Sequence, residues 1–137
     1  MEVTGKCHCG HIRYRAKINP ERISLCHCTD CQTMSGSAYR VSAQIPLQDF
    51  ELLSGQVRIY VKTADSGEKR VQAFCPECAT PLYAESLENP KIRSLRIGAI
   101  EQRAALRPRR QIWCRSALRW TEDLSQIEPK FEKSGTW

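Results

Sequence analysis

His11-Ile12-Arg13-Tyr14-Arg15-Ala16-Lys17-Ile18 alternates polar and apolar residues without a break. Side chains of an extended chain point to opposite faces in turn, so this run carries the period-2 signature of a half-buried strand. Further along, Val57, Ile59 and Val61 alternate with Arg58, Tyr60 and Lys62 after Gly55, giving a second strand. Val71 to Phe74 reads as a third, ending at the Cys75-Pro76 turn. Ser66-Gly67 lies between these two runs and suits a hairpin turn. Arg93 to Ile100 gives a further strand, and Ala38 to Ala43 another. Against these, no window holds a helical stripe longer than two turns. Pro46 to Leu53 suits one short turn, with Pro46 at the first helical position and Asp49 in the early turn. The polar tail from Thr121 to Trp137 carries only a few apolar anchors. With no internal repeat and no linker, residues 1–137 are expected to form a single small all-β domain, its cysteines at strand ends and turns.

Hydrophobic residues make up 41% and charged residues 26%, a globular balance that argues against wholesale disorder. No apolar run approaches the roughly 18 residues needed to cross a bilayer. Met1-Glu2-Val3-Thr4-Gly5-Lys6 lacks the apolar core of a signal peptide. These features predict a cytoplasmic protein without a membrane partner. The formal charge of +6 invites a nucleic-acid reading. Seven zinc-bound thiolates with two zinc ions would lower it to about +3. The basic residues are scattered apart from Arg107, Arg109 and Arg110, and no basic tail or stacked aromatic platform accompanies them. The charge balance does not point to nucleic acid.

Eight cysteines in a chain of this kind call for metal before disulfides, because reducing conditions keep thiols free. They fall into Cys7-His8-Cys9, Cys26-His27-Cys28-Thr29-Asp30-Cys31, Cys75-Pro76-Glu77-Cys78 and a lone Cys114. Two pairs supply the four thiolates of a closed structural zinc site, whereas three cysteines leave a tetrahedral position open, as a catalytic zinc needs. The Cys75/Cys78 knuckle requires a second pair, and Cys7 with Cys9 on one face of an extended segment can provide it. Cys26, Cys28 and Cys31 can ring one metal by themselves. His8 and His27 point away from the ligands that flank them, and His11 is a strand surface residue. Cys114 reads as a buried, inert thiol between core aromatics.

Gly5-Lys6-Cys7-His8-Cys9-Gly10, Arg13-Tyr14, the Cys26–Cys31 run, Gly36, Phe74-Cys75-Pro76-Glu77-Cys78-Ala79-Thr80-Pro81-Leu82, Ile97-Gly98, and Ile112-Trp113 with Ser116 and Trp120 occur in an informative order. Together they resemble the glutathione-dependent formaldehyde-activating enzyme family, which also contains centromere protein V. The resemblance implies a β-tent fold of antiparallel strands with two zinc ions. It assigns structural zinc to Cys7, Cys9, Cys75 and Cys78, and catalytic zinc to Cys26, Cys28 and Cys31. It further implies a carbon–sulfur lyase that joins formaldehyde to glutathione as S-hydroxymethylglutathione. Two positions depart from the family pattern. Ala79 stands where a turn glycine is usual, which suggests a different turn, and Gln111 where a histidine is common.

The expected activity is therefore addition of a small thiol, glutathione or similar, to formaldehyde or another aldehyde at the three-cysteine site. Basic residues, with Arg40 and Arg70 as candidates, would offset the site's negative charge and receive a substrate carboxylate. Two alternatives belong to other classes. One is a zinc-stabilised module that binds protein or nucleic acid. The other rests on Ile112 to Trp120, similar to the segment bearing the catalytic cysteine of methionine-R-sulfoxide reductases, which would make Cys114 a nucleophile.

Overall fold

The structure, a computed structural model, describes residues 1–134. Among them it contains ten strands, one α-helix and several short 3-10 turns. The first strands, β1 (Glu2–Lys6) and β2 (Arg13–Lys17), pair antiparallel, with Gly5 opposite Tyr14. Both show strict alternation of exposed and buried residues, which the sequence reading anticipates for β2. A later strand, β5 (Phe50–Ser54), joins the other side of β2 to complete a three-stranded antiparallel sheet.

The second sheet has seven strands. Its members in chain order are β3 (Ile23–Cys26), β4 (Arg40–Pro46), β6 (Arg58–Thr63), β7 (Lys69–Phe74), β8 (Pro81–Ser86), β9 (Ile92–Arg96) and β10 (Arg110–Ile112). In space they run β10-β3-β4-β9-β8-β7-β6. Every pairing is antiparallel except that of β10 with β3. The β6–β7 hairpin turns where expected, with Gly67 at φ +86 and its N–H donated to the Ala64 carbonyl. Residues of both sheets meet in one core built around Tyr14, Ile12, Ile23, Ile45, Leu82 and Leu95. The all-β, mainly antiparallel class is therefore as the sequence indicates.

Local differences have physical causes. The strand anticipated over Arg93 to Ile100 stops at Arg96, and Ile97–Ala99 is a 3-10 turn. Ile97, Ala99 and Ile100 are all buried, an arrangement that alternation along a strand cannot provide. The turn instead delivers Ile100 to a bridge with Gly5. In Pro46 to Leu53, the short helical turn covers only Leu47–Asp49 before β5 begins. The strand at Arg58–Thr63 is present, but it forms a sheet edge, and Ile59 is 51% exposed. The helix α1 (Thr29–Ser35) has no counterpart in the sequence reading, since none of its residues is buried and no apolar stripe marks it.

Gly5 is required by close approach. A Cβ added there would lie 2.0 Å from Cζ of the fully buried Tyr14. Gly5→Ala should force the ring out of place and cost about 1–3 kcal/mol, the usual penalty for overpacking. Urea denaturation measures this, and a variant as stable as the parent would contradict the packing described.

Candidate metal centres

The first cluster forms where two strand ends meet. Cys7 follows β1, and the chain then folds back sharply, with Gly10 N–H donating to the Cys7 carbonyl and Cys7 N–H to the Ile12 carbonyl. Cys9 therefore comes beside Cys7 through a turn and not along an extended segment as the sequence reading assumed. Cys75, at the end of β7, opens a second turn in which Ala79 N–H donates to the Cys75 carbonyl at 2.9 Å. His8 N–H reaches Thr80 Oγ1 at 3.0 Å and ties the turns together. The Sγ atoms of Cys7, Cys9, Cys75 and Cys78 all lie within 4.8 Å of one another. Two of the separations are 3.6 Å, Cys7 to Cys9, and 3.8 Å, Cys9 to Cys75. Sulfurs about 2.3 Å from a tetrahedral zinc stand roughly 3.8 Å apart, whereas a disulfide needs about 2.05 Å. The four residues fit a zinc ion.

The electrostatics of this cluster divide its sulfurs. Cys9 is pushed up to about 12 despite the His11 N–H, by lost hydration and the three neighbouring thiols, and burial raises Cys75. The other two are lowered. Cys78 is drawn down to about 5, first by the Thr80 hydroxyl 3.1 Å away and then by the N–H groups of Cys9 and Thr80. Cys7 also lies below the usual thiol range. Burial opposes its ionisation, but the Ile12 N–H, donated to its sulfur at 3.2 Å, and the neighbouring thiols outweigh that.

The second cluster is built by a strand, a cap and a helix. Cys26 ends β3, Cys28 is the N-cap of α1, and Cys31 lies in the first turn. Cys28 Sγ accepts the Cys31 N–H at 3.3 Å, so a sulfur of the cluster itself caps the helix. At the far end Gly36 adopts φ +62 and donates back to Gln32 and Thr33. Gln32 Nε2 donates to the carbonyls of His27 and Ser116, fixing the helix to a later segment. The three sulfurs lie within 4.8 Å of one another, and no fourth ligand from His, Cys, Asp or Glu joins them among the described residues. Burial, then Cys28 and Cys26, push the Cys31 thiol up to about 12. Sulfurs so crowded cannot all ionise without a cation, so this donor set also suits zinc.

The imidazoles stay out of both clusters. His27 is buried, and its Nε2 lies 2.7 Å from Gln111 Oε1 on β10. Gln111, a departure from the family pattern, thus holds the imidazole that sits between two ligands. Cys114 also lies outside both sets, and it is exposed in the 3-10 turn Cys114–Ser116. The buried thiol between core aromatics is corrected, because Trp113 and Trp120 are themselves exposed and offer no core to enter.

Two cavities flank the trio. The wider, about 530 Å³, includes Cys28, Lys62, Arg70, Trp113 and Arg115 in its wall. The smaller, about 150 Å³, includes Cys31, Arg40, Gln72 and Arg96. Arg70, Lys62 and Asp30 line both, with Lys62 paired to Asp30. The two arginines chosen from sequence therefore come to the trio, while Lys62, Gln72 and Arg96 were missed. Lost hydration first, and Arg40 next, pull Arg96 down to about 9. A third cavity, about 820 Å³, is lined by His27, Gln111 and Cys114 but by none of the seven clustered cysteines.

A family model described as glutathione-dependent formaldehyde-activating enzyme matches residues 2–116. The chain belongs to this family. Among solved structures, it is similar to a crystal structure of a Rhodobacter sphaeroides protein, with a TM-score of 0.60 at 17% identity. That match covers 81% of this chain and 99% of the other, and it shows a shared fold. No curated protein matches the chain.

Within this family member, Ala79 adopts φ +59, the left-handed turn that a glycine would take. The turn anticipated as different is thus the left-handed one, held by a side chain that makes it unfavourable. Ala79→Gly should keep the full metal content and gain up to about 1 kcal/mol. A lower melting temperature would contradict strain at this turn. Metal analysis separates the two clusters further. Cys75→Ser should lose several kcal/mol, because structural metal binding is folding free energy. Cys28→Ser should fold and drop from two equivalents to about one. Equal metal loss and equal stability in the two variants would contradict the division.

Proposed function

We propose that this chain is a zinc-dependent carbon–sulfur lyase-type enzyme, similar to an S-hydroxymethylglutathione synthase. It adds glutathione or a similar small thiol to formaldehyde or a related aldehyde, and it acts in the cytoplasm as a single domain. Cys7, Cys9, Cys75 and Cys78 hold structural zinc, and Cys26, Cys28 and Cys31 hold catalytic zinc. The observation that carries the reading is the trio's three-sulfur donor set, one ligand short of the other cluster, between two cavities. Membership of a formaldehyde-activating family supports it. No described helix is long and apolar enough to cross a membrane.

Zinc in the trio supplies a Lewis acid that lowers the pKa of a substrate thiol. The remaining work falls to the chain's own side chains. The wider cavity has room for a peptide-like thiol, and Lys62, Arg70 and Arg115 in its wall suit carboxylates. The exposed Trp113 ring offers an apolar surface beside them. The smaller cavity, lined by Cys31 and sharing three wall residues with the wider one, suits a compact group of a few heavy atoms held close to the reacting sulfur. Sulfur then bonds to the carbonyl carbon, the carbon–oxygen double bond becomes single, and the proton lost from sulfur ends on oxygen. No oxidant or reductant is needed.

Formaldehyde and glutathione combine unaided, so the measurement is acceleration, read by exchange NMR on zinc-loaded protein. The native chain should speed exchange well above the uncatalysed rate, and Cys28→Ser should lose at least a hundredfold of that gain. S-methylglutathione, which has no thiol proton, should give no product. Exchange no faster than in buffer would overturn the proposal.

A further inference from the structure

Two guanidinium groups beside the trio have no acidic partner among the described residues. Arg40 on β4 is buried, and its side chain makes one hydrogen bond, 3.4 Å from Nη1 to Gln72 Oε1. Arg96 on β9 donates to Ser42 Oγ at 2.8 Å and to the same Gln72 Oε1 at 2.9 Å. One neutral amide oxygen shared by two cations neutralises neither. Their neighbours differ, since Lys62 pairs with Asp30 and Arg70 with Glu68. All four cations line the 150 Å³ cavity that includes Cys31.

The charges at this place do not balance. Three thiolates around one divalent ion carry −1. Arg40 and Arg96 together carry +2, so one positive charge is left over in a confined space. A charge removed from water without a partner is strongly unfavourable. A guanidinium also offers five N–H donors in a planar fork, and Arg40 spends only one, on a long bond.

We propose that this cavity is a small-carboxylate site, in which a monoanion lies against Arg40 and Arg96 and supplies the missing negative charge. The fork matches the two oxygens of a carboxylate. The volume suits an anion of a few heavy atoms, and a tripeptide belongs in the wider cleft. Occupation by an anion stands on the charges alone. Its use in catalysis rests on the thiol–aldehyde reading, under which the carboxylate belongs to a substrate, either a small aldehyde acid or a small thiol acid.

The test uses the zinc-loaded full chain, with formate as probe and formamide as its neutral counterpart at constant ionic strength. Calorimetry should show formate binding, and formate should raise the melting temperature while formamide does not. Arg96→Gln should weaken formate at least tenfold. Arg40→Lys, which keeps the charge and loses the fork, should weaken it severalfold and guards against misfolding of the first variant. Formate binding no tighter than formamide, or unchanged in both variants, overturns the site and leaves the substrate sulfur as the source of the charge. Two kinetic arms locate the carboxylate: glyoxylate against glycolaldehyde with a neutral thiol, and mercaptoacetate against 2-mercaptoethanol with formaldehyde. A tenfold preference for the acid in either arm identifies its carrier, and no preference in both overturns the substrate assignment. Formate binding without any aldehyde consumption retires the thiol–aldehyde reading and keeps the site. Formaldehyde consumption without formate binding does the reverse.

Discussion

The four-sulfur cluster joins the two sheets. Cys7 follows the last residue of β1 in the small sheet, and Cys75 follows the last residue of β7 in the large one. Cys9 and Cys75 are 66 positions apart in the chain, with sulfurs at 3.8 Å. A metal held there closes a long loop and fixes the relative position of two layers whose shared core is modest in size. Further contacts reinforce the same junction. Ile100 reaches Gly5, Glu101 N–H reaches the Thr4 carbonyl, and Lys6 pairs with Glu101, all on the strand that leads into Cys7.

The second cluster is organised differently because it is made locally. Its three sulfurs come from one strand end and the first turn of a seven-residue helix with no buried residues. Such a helix is too short to be stable alone. It is held by a cysteine cap at one end, a left-handed glycine at the other, and Gln32 bridging to Ser116. The large sheet supplies the surroundings. The register that sets Ser42 opposite Arg96 brings cations from β4 and β9 together, and β7 adds Gln72 and Arg70. Locally assembled sulfurs with remotely supplied charge allow the cluster and its electrostatics to be altered separately.

Much of this was legible in the sequence, for identifiable reasons. Strands with one face in the core, such as Arg13–Lys17, announce themselves by alternation. Cysteine spacing marks sulfurs that converge, because within each pair or trio the constraint is local. Helix α1 was illegible because it is held by its caps and by Gln32, and these leave no apolar stripe. Arg96 was illegible as a site residue because alternation against Leu95 and Ile97 marks it only as facing away from the core. On a sheet whose other face borders a cavity, facing away from the core means facing the site. Cys114 misled for a related reason, since flanking tryptophans suggest burial in sequence yet lie exposed here.

The central claim is that the chain holds one closed and one open metal site. Zinc K-edge absorption on the fully loaded protein, without added thiol, tests it most directly. Two zinc ions per chain, one with four sulfurs and one with three, average about 3.5 sulfur ligands each at about 2.3 Å. The account predicts that average, with an oxygen or nitrogen neighbour making up the difference. Four sulfurs per zinc at two equivalents, or a single equivalent that cannot be raised, would contradict it.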